Sequence, residues 1–164
     1  MPSPLPSLGP RGEGWVALQG VCFALMFAAI AAAPPEDVRD TVAVGTRQIA
    51  GYIVGMIGAV MIGSGVAELR RAQALTTVPY PRNGAHLVER GAFRVVRHPI
   101  YGGLIVGAIG LALITPWVGT AIAVGLLSIV LDLKRRREEV WLAERYAGYA
   151  AYRTRTKALI PFVY

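Results

Sequence analysis

Apolar residues gather into four long stretches, separated by segments marked by prolines. The first runs from about Trp15 to Ala33 without a charge and stops at Pro34-Pro35. The second runs from about Gln48 to Leu69 and closes on Glu68, Arg70 and Arg71. A third begins at Pro99, a favoured first helical position, and reaches Ile114; Pro116 then interrupts, and a fourth runs from about Trp117 to Leu133. About 20 apolar residues in a helix cross a bilayer's hydrocarbon core. The third stretch, at about 24 Å, falls short of that. It therefore reads as one arm of a tight hairpin with the fourth, turning at Thr115-Pro116. The pattern predicts an all-α membrane bundle of about four transmembrane helices. Gly51, Gly55 and Gly58 in the second stretch, and Gly103, Gly107 and Gly110 in the third, have the spacing that lets helices approach closely. They also leave oligomers possible.

The polar segments divide the remainder. Residues 1–14, rich in Pro, Gly and Ser, read as a disordered lead-in to a single membrane domain over 15–164. The apolar run that follows is not read as a cleaved signal, because further spans come after it. Glu36 to Arg47 is polar and mixed in sign, a short external loop. Residues 70–98 form the longest polar stretch, with turns marked by Pro79, Pro81 and Asn83-Gly84. After Leu133, Lys134-Arg135-Arg136-Arg137 and Glu138-Glu139 open an amphipathic helix to about Arg153, with Leu142, Tyr146 and Tyr149 on one face. The tail from Ala158 to Tyr164 is apolar and aromatic, suited to the interface or to docking on the bundle.

Composition supports this organisation. Hydrophobic residues make up 54% and charged ones 16% of the 164 residues, where a soluble domain carries about a quarter charged; mean hydropathy is +0.48. The net charge of +7 needs no nucleic acid to explain it. Basic residues concentrate in 70–98 and in 134–157, as they do on cytoplasmic loops beside anionic headgroups. Both segments, and both termini, then face the cytoplasm, and a site is expected where the two segments meet. Cys22 is the single cysteine, which excludes an intrachain disulfide or a cysteine metal cluster and reads as a small apolar packing residue. No metal site is expected.

The stretch from Leu87 to Gly103 carries the candidate chemistry. It delivers Arg97 and His98 to the start of a helix whose free N–H groups and dipole suit an anion. Read by physics alone, an interfacial loop with basic anchors explains it equally well. Arg97-His98-Pro99-Ile100-Tyr101-Gly102-Gly103, however, resembles the Arg-His-Pro-x-Tyr-x-Gly motif of isoprenylcysteine carboxyl methyltransferase-like proteins. Gly91-Ala92-Phe93-Arg94-Val95-Val96 is similar to that family's lead-in. Glu138-Glu139 with Leu142, Tyr146, Gly148, Tyr149 and Tyr152, and then Ile160-Pro161, resemble its later pattern.

That resemblance implies methyl transfer from S-adenosylmethionine, with S-adenosylhomocysteine as product, to a lipophilic small molecule or lipidated acceptor at the membrane lipid. It implies a cofactor pocket built from 84–103 and 134–164 and lined by Leu87, Val88, Gly91, Phe93, His98, Pro99, Tyr101 and Gly103, with Glu139 toward the cofactor. Glu138 would serve the acceptor side. Arg97, Arg145 and Arg153 are the candidates to hold a carboxylate acceptor, whereas an amine or hydroxyl acceptor would need Glu138 or His98 as base. Ala92 and Phe93 depart from the family's usual Pro and Tyr, which loosens the turn and removes a hydroxyl, and Lys157 is displaced from the usual basic position. The tail from Tyr152 to Tyr164 also resembles that of sterol-reductase-like membrane proteins, which bind NADPH. A non-catalytic membrane protein that retains the fold is the third reading.

Overall fold

The computed structural model describes residues 5–36 and 40–161. These form five α-helices: α1 (Glu13–Ala31), α2 (Thr41–Arg71), α3 (Pro99–Ile114), α4 (Val118–Arg145) and α5 (Tyr149–Arg155), with a 3-10 turn at Gly91–Arg94 before α3. No strand occurs among the described residues, so the all-α expectation holds. α1 and α2 are long and apolar enough to cross a membrane, while α3 is apolar but has 16 residues. Large apolar side chains stand exposed along the outer faces, among them Phe27 on α1, Tyr52, Met56 and Val60 on α2, and Ile122 and Ile129 on α4. In water such a surface is a liability; in a bilayer it is the solvent-compatible one, because helices satisfy their own backbone.

Three boundaries differ from the apolar pattern. α2 begins at Thr41, so the expected external loop over Glu36–Arg47 is largely helix, with residues 37–39 outside the described residues. Asp40 caps it, its Oδ1 accepting from Ala43 N at 2.9 Å, as N-cap aspartates do. α4 does not end at Leu133 but continues unbroken to Arg145. Asp132 pairs with Arg135 and Arg136 at helical spacing, which supports the continuation. The expected separate amphipathic helix is thus the second half of α4, and the break falls at Tyr146-Ala147-Gly148. Finally, residues 6–14, expected to lack structure, fold onto the bundle. Buried Trp15 needs a partner for its indole N–H and donates to Pro6 O at 3.3 Å; Gly14 N donates to Leu8 O at 2.8 Å, and Tyr80 N to Arg11 O at 3.3 Å. Residues 1–4 of this lead-in lie outside the described residues.

Two seams hold the bundle. α2 and α3 meet through their glycines: a Cβ on Gly58 would stand 2.6 Å from both Gly103 O and Gly107 N, and one on Gly110 would stand 2.7 Å from Gly51 O. The close approach expected from glycine spacing is therefore backbone against backbone. α1 packs along α4, where Cys22 and Met26 join Ala123, Leu127 and Leu131 in the core, and Trp117 Nε1 donates to Ala29 O at 2.9 Å. Ala158 and Leu159 enter the same core, so the described part of the tail docks on the bundle; residues 162–164 lie outside the described residues.

The two basic segments meet at one end. Tyr146 Oη donates to Ala85 O at 2.8 Å, Tyr152 Oη donates to Phe93 O at 2.7 Å, and Arg155 pairs with Glu89. At the opposite end Arg47 pairs with Glu36 and donates to Leu113 O.

Candidate active site

Pro99 starts α3, so the preceding residue His98 is held out of the helix (φ −127°, ψ 63°), as residues before proline are. The segment before it is fixed by the tail. Arg97 N donates to Lys157 O at 2.8 Å, His98 N to Ala158 O at 3.0 Å, and Lys157 N to Val95 O at 3.0 Å, around a parallel bridge of Val96 with Lys157. Gly102 permits this docking. A Cβ there would stand 2.0 Å from Leu159 O.

On that frame two adjacent carboxylates of α4 enter different surroundings. Glu139 is buried and faces a cluster of positive groups. Arg97 Nε donates to its Oε1 at 2.9 Å, Arg135 Nη1 donates to the same oxygen at 3.3 Å, and Arg153 Nε stands 3.7 Å from Oε2. His98 Nε2 lies 3.3 Å from Oε1 but off the line of a hydrogen bond, and it has no hydrogen-bond partner. Burial works against the charge on Glu139, but His98 and the Arg97 guanidinium outweigh it and hold the carboxyl well below the usual range.

Glu138 points the other way. Tyr101 Oη donates to its Oε2 at 2.7 Å, and His98 Nδ1 lies 4.0 Å from the same atom. Burial pushes its carboxyl up, against the pull of His98, Tyr101 and Lys134. One carboxylate is thus a fixed anion and its neighbour is able to take a proton, the division that assigns acid and base roles in many sites.

Beside Glu138 opens a cavity of about 420 Å³, in the range of small-molecule sites (about 300–1,000 Å³). Leu87, Val88, Phe93, Arg97, His98, Pro99, Tyr101 and Glu138, all singled out from the sequence, line it. The stacked rings of His98 and Tyr101 (centroids 5.5 Å, planes 5° apart) form part of the wall. Four expected residues stand elsewhere. Gly103 faces α2, where a Cβ would stand 2.7 Å from Gly58 O; Gly91 packs on Glu68; Glu139 lies behind the wall. Arg145 is exposed, its Nη1 donating to Asn83 Oδ1 at 3.3 Å. Arg97 borders the cavity with its guanidinium engaged, donating to Glu139, to Arg153 O at 3.2 Å and to Thr156 O.

The cavity also has lining residues not foreseen in the sequence. Tyr149 brings a buried hydroxyl without a hydrogen-bond partner, which burial keeps protonated far above neutrality. Lys134 and Gln19 reach it as well. Lys134 reads in sequence as one of four basic residues that mark topology. Its spacing of four from Glu138 is the signal that both share one helix face.

Fold and site together define a helical membrane protein with a carboxylate-edged cavity at one end of its bundle. A family model described as phospholipid methyltransferase matches residues 46–148, more than half of the chain. The chain belongs to that family, the same one as the isoprenylcysteine carboxyl methyltransferase-like proteins its motifs resemble, and is a membrane methyltransferase. Comparison with curated proteins gives no match.

Proposed function

We propose that the protein transfers a methyl group from S-adenosylmethionine to a lipophilic acceptor that reaches the cavity from the membrane. α1 to α4 then cross or enter the bilayer as four spans, with both basic segments and both termini on the cytoplasmic side, following the distribution of Arg and Lys. One observation carries the reading: a cavity of suitable volume is walled by a carboxylate, a stacked His98–Tyr101 pair and the unpartnered Tyr149 hydroxyl. These residues fit a cationic nucleoside. A carboxylate and aromatic faces attract a cation, flat rings suit a purine, and Tyr149 has a donor to give.

When bound, S-adenosylmethionine supplies a methyl group whose carbon–sulfur bond breaks with the electron pair left on sulfur, giving S-adenosylhomocysteine. The chain's own residues position and dehydrate the reactants. Tyr101 aims Glu138, and the docked tail fixes the backbone of Arg97 and His98 in the cavity wall. An acceptor that must lose a proton gives it to Glu138, which Tyr101 and Lys134 help to keep ionised. Arg97 holds Glu139 and the tail in place, and so acts on the reaction through them.

Calorimetric titration of the purified full-length protein with S-adenosylhomocysteine and, separately, NADPH tests this. Binding of the first and not the second is expected. NADPH binding would move the protein to the reductase reading, and binding of neither would leave a retained fold without this chemistry. Labelled S-adenosylmethionine added to membranes containing the protein identifies the methylated product.

A further inference from the structure

Lys134 is 3% exposed, yet it lines the cavity. Its ammonium has three donors. Gln19 Oε1 accepts one at 2.6 Å, and the Tyr101 ring face lies 5.0 Å away. Among the described residues no carboxylate forms an ion pair with it. Its neighbours on α4 are treated otherwise: Arg135 and Arg136 both pair with Asp132. Glu138, one turn on, attracts it without closing an ion pair, and Gln19 takes one of its three donors, so a ligand in the cavity can take another. Gln19 belongs to α1, outside residues 46–148 that the family model matches. This aiming contact is therefore not contributed by the matched region alone.

We propose that Lys134, directed by Gln19, is the anion-binding residue of the cavity and takes a carboxylate or phosphate oxygen of a ligand whose reacting end faces Glu138. The inference rests on the cavity being the methyl-transfer site. Lys134 and Glu138 are one helical turn apart on one face, so their side chains present opposite charges along the same wall. A ligand carrying both an anionic group and a cationic or proton-bearing centre matches that order. Two sources share this chemistry: the amino-acid carboxylate of the cofactor, and an anionic headgroup on the acceptor.

The test uses the full chain in neutral detergent, as wild type, Lys134→Met and Lys134→Gln. One pair of probes is S-adenosylhomocysteine and its decarboxylated analogue; the other is dihexanoyl phosphatidic acid and uncharged dihexanoylglycerol. If the cofactor is the source, both variants bind S-adenosylhomocysteine about tenfold more weakly, the scale of a charged hydrogen bond, and bind the decarboxylated analogue as wild type does. If the acceptor is the source, S-adenosylhomocysteine is unaffected and phosphatidic acid loses about tenfold, with dihexanoylglycerol unchanged. Ligand-free variants are expected to keep one cooperative melting transition, since Lys134 forms no ion pair among the described residues. Variants that bind both anions like wild type overturn the proposal, as do variants that melt lower and lose charged and uncharged probes alike. Wild type that fails to bind S-adenosylhomocysteine removes the cofactor reading, and the phosphatidic acid arm then decides Lys134 alone.

Discussion

Tyr101 on α3 donates its phenol to Glu138 Oε2 on α4 at 2.7 Å, across a separation of 37 residues. This bond joins the beginning of one helix to the polar half of another and sets the direction of the only carboxylate among the described residues that lines the cavity. Its loss should therefore register in chemistry before it registers in folding.

Tyr101→Phe removes a donor that favours the ionised form of Glu138. The carboxyl, already raised by burial, then rises further. Activity that needs the carboxylate falls as pH drops through that value, so the acid limb of the pH–activity profile should move to higher pH. Near neutrality the rate should fall about tenfold, the scale of one charge-assisted hydrogen bond. An acid limb that stays in place would show that Glu138 is not the titrating base.

Glu139→Ala leaves Arg97 and Arg135 buried without their shared acceptor. Breaking a buried pair from one side costs about 3–5 kcal/mol, so a large loss of thermal stability in detergent is expected. The pH dependence has a definite sign. Because the folded carboxyl lies below its ordinary value of 4.5, its stabilising contribution is complete above that value. It is lost as pH falls below it toward the depressed folded value. Wild type should lose this contribution in acid and Glu139→Ala should not, which paired melting curves would resolve.

Gly102→Ala should detach the tail. The new methyl cannot coexist with Leu159 O at 2.0 Å, and overpacking of this kind costs about 1–3 kcal/mol. Limited proteolysis should cut the variant faster after Thr156, and S-adenosylhomocysteine affinity should fall with it.

Gly58→Ala and Gly63→Ala form a matched pair on α2. The first places a methyl 2.6 Å from the α3 backbone, while the second meets nothing within 4 Å. Gly58→Ala should lose about 1–3 kcal/mol, and Gly63→Ala should be neutral or slightly stabilising through helix propensity. Equal melting temperatures would deny that the glycine seam holds α2 against α3.

Arg145→Ala should keep full activity and melt within about 0.5 kcal/mol of wild type. Its contact is one exposed bond to Asn83 at 3.3 Å. A loss of more than tenfold in methyl transfer would return Arg145 to the acceptor site.

The apolar stretches and the motif from Arg97 to Gly103 are local signals, and by themselves they place α1, α3 and the site's entrance. Contacts that depend on distant partners are not local. Arg97 looks free to bind a substrate until Thr156 and Glu139 engage it across 59 and 42 residues. Gly103 looks like a pocket glycine until Gly58 arrives opposite. Lys134 hides among four like charges, and only the position of Gln19 on α1, 115 residues earlier, separates it from them. The continuity of α4 is obscured for a different reason. A change from apolar to charged composition marks where a helix leaves one solvent for another, and it need not mark where the helix ends.

The bridge of Val96 with Lys157 also imposes an order on biogenesis. Residues 156–159 emerge from the ribosome after the helices α1 to α4, so the bundle can enter the bilayer before the backbone of Arg97 and His98 is fixed. The wall that Arg97 and His98 form is then completed late, after insertion, when residues 156–159 thread back against those that precede α3.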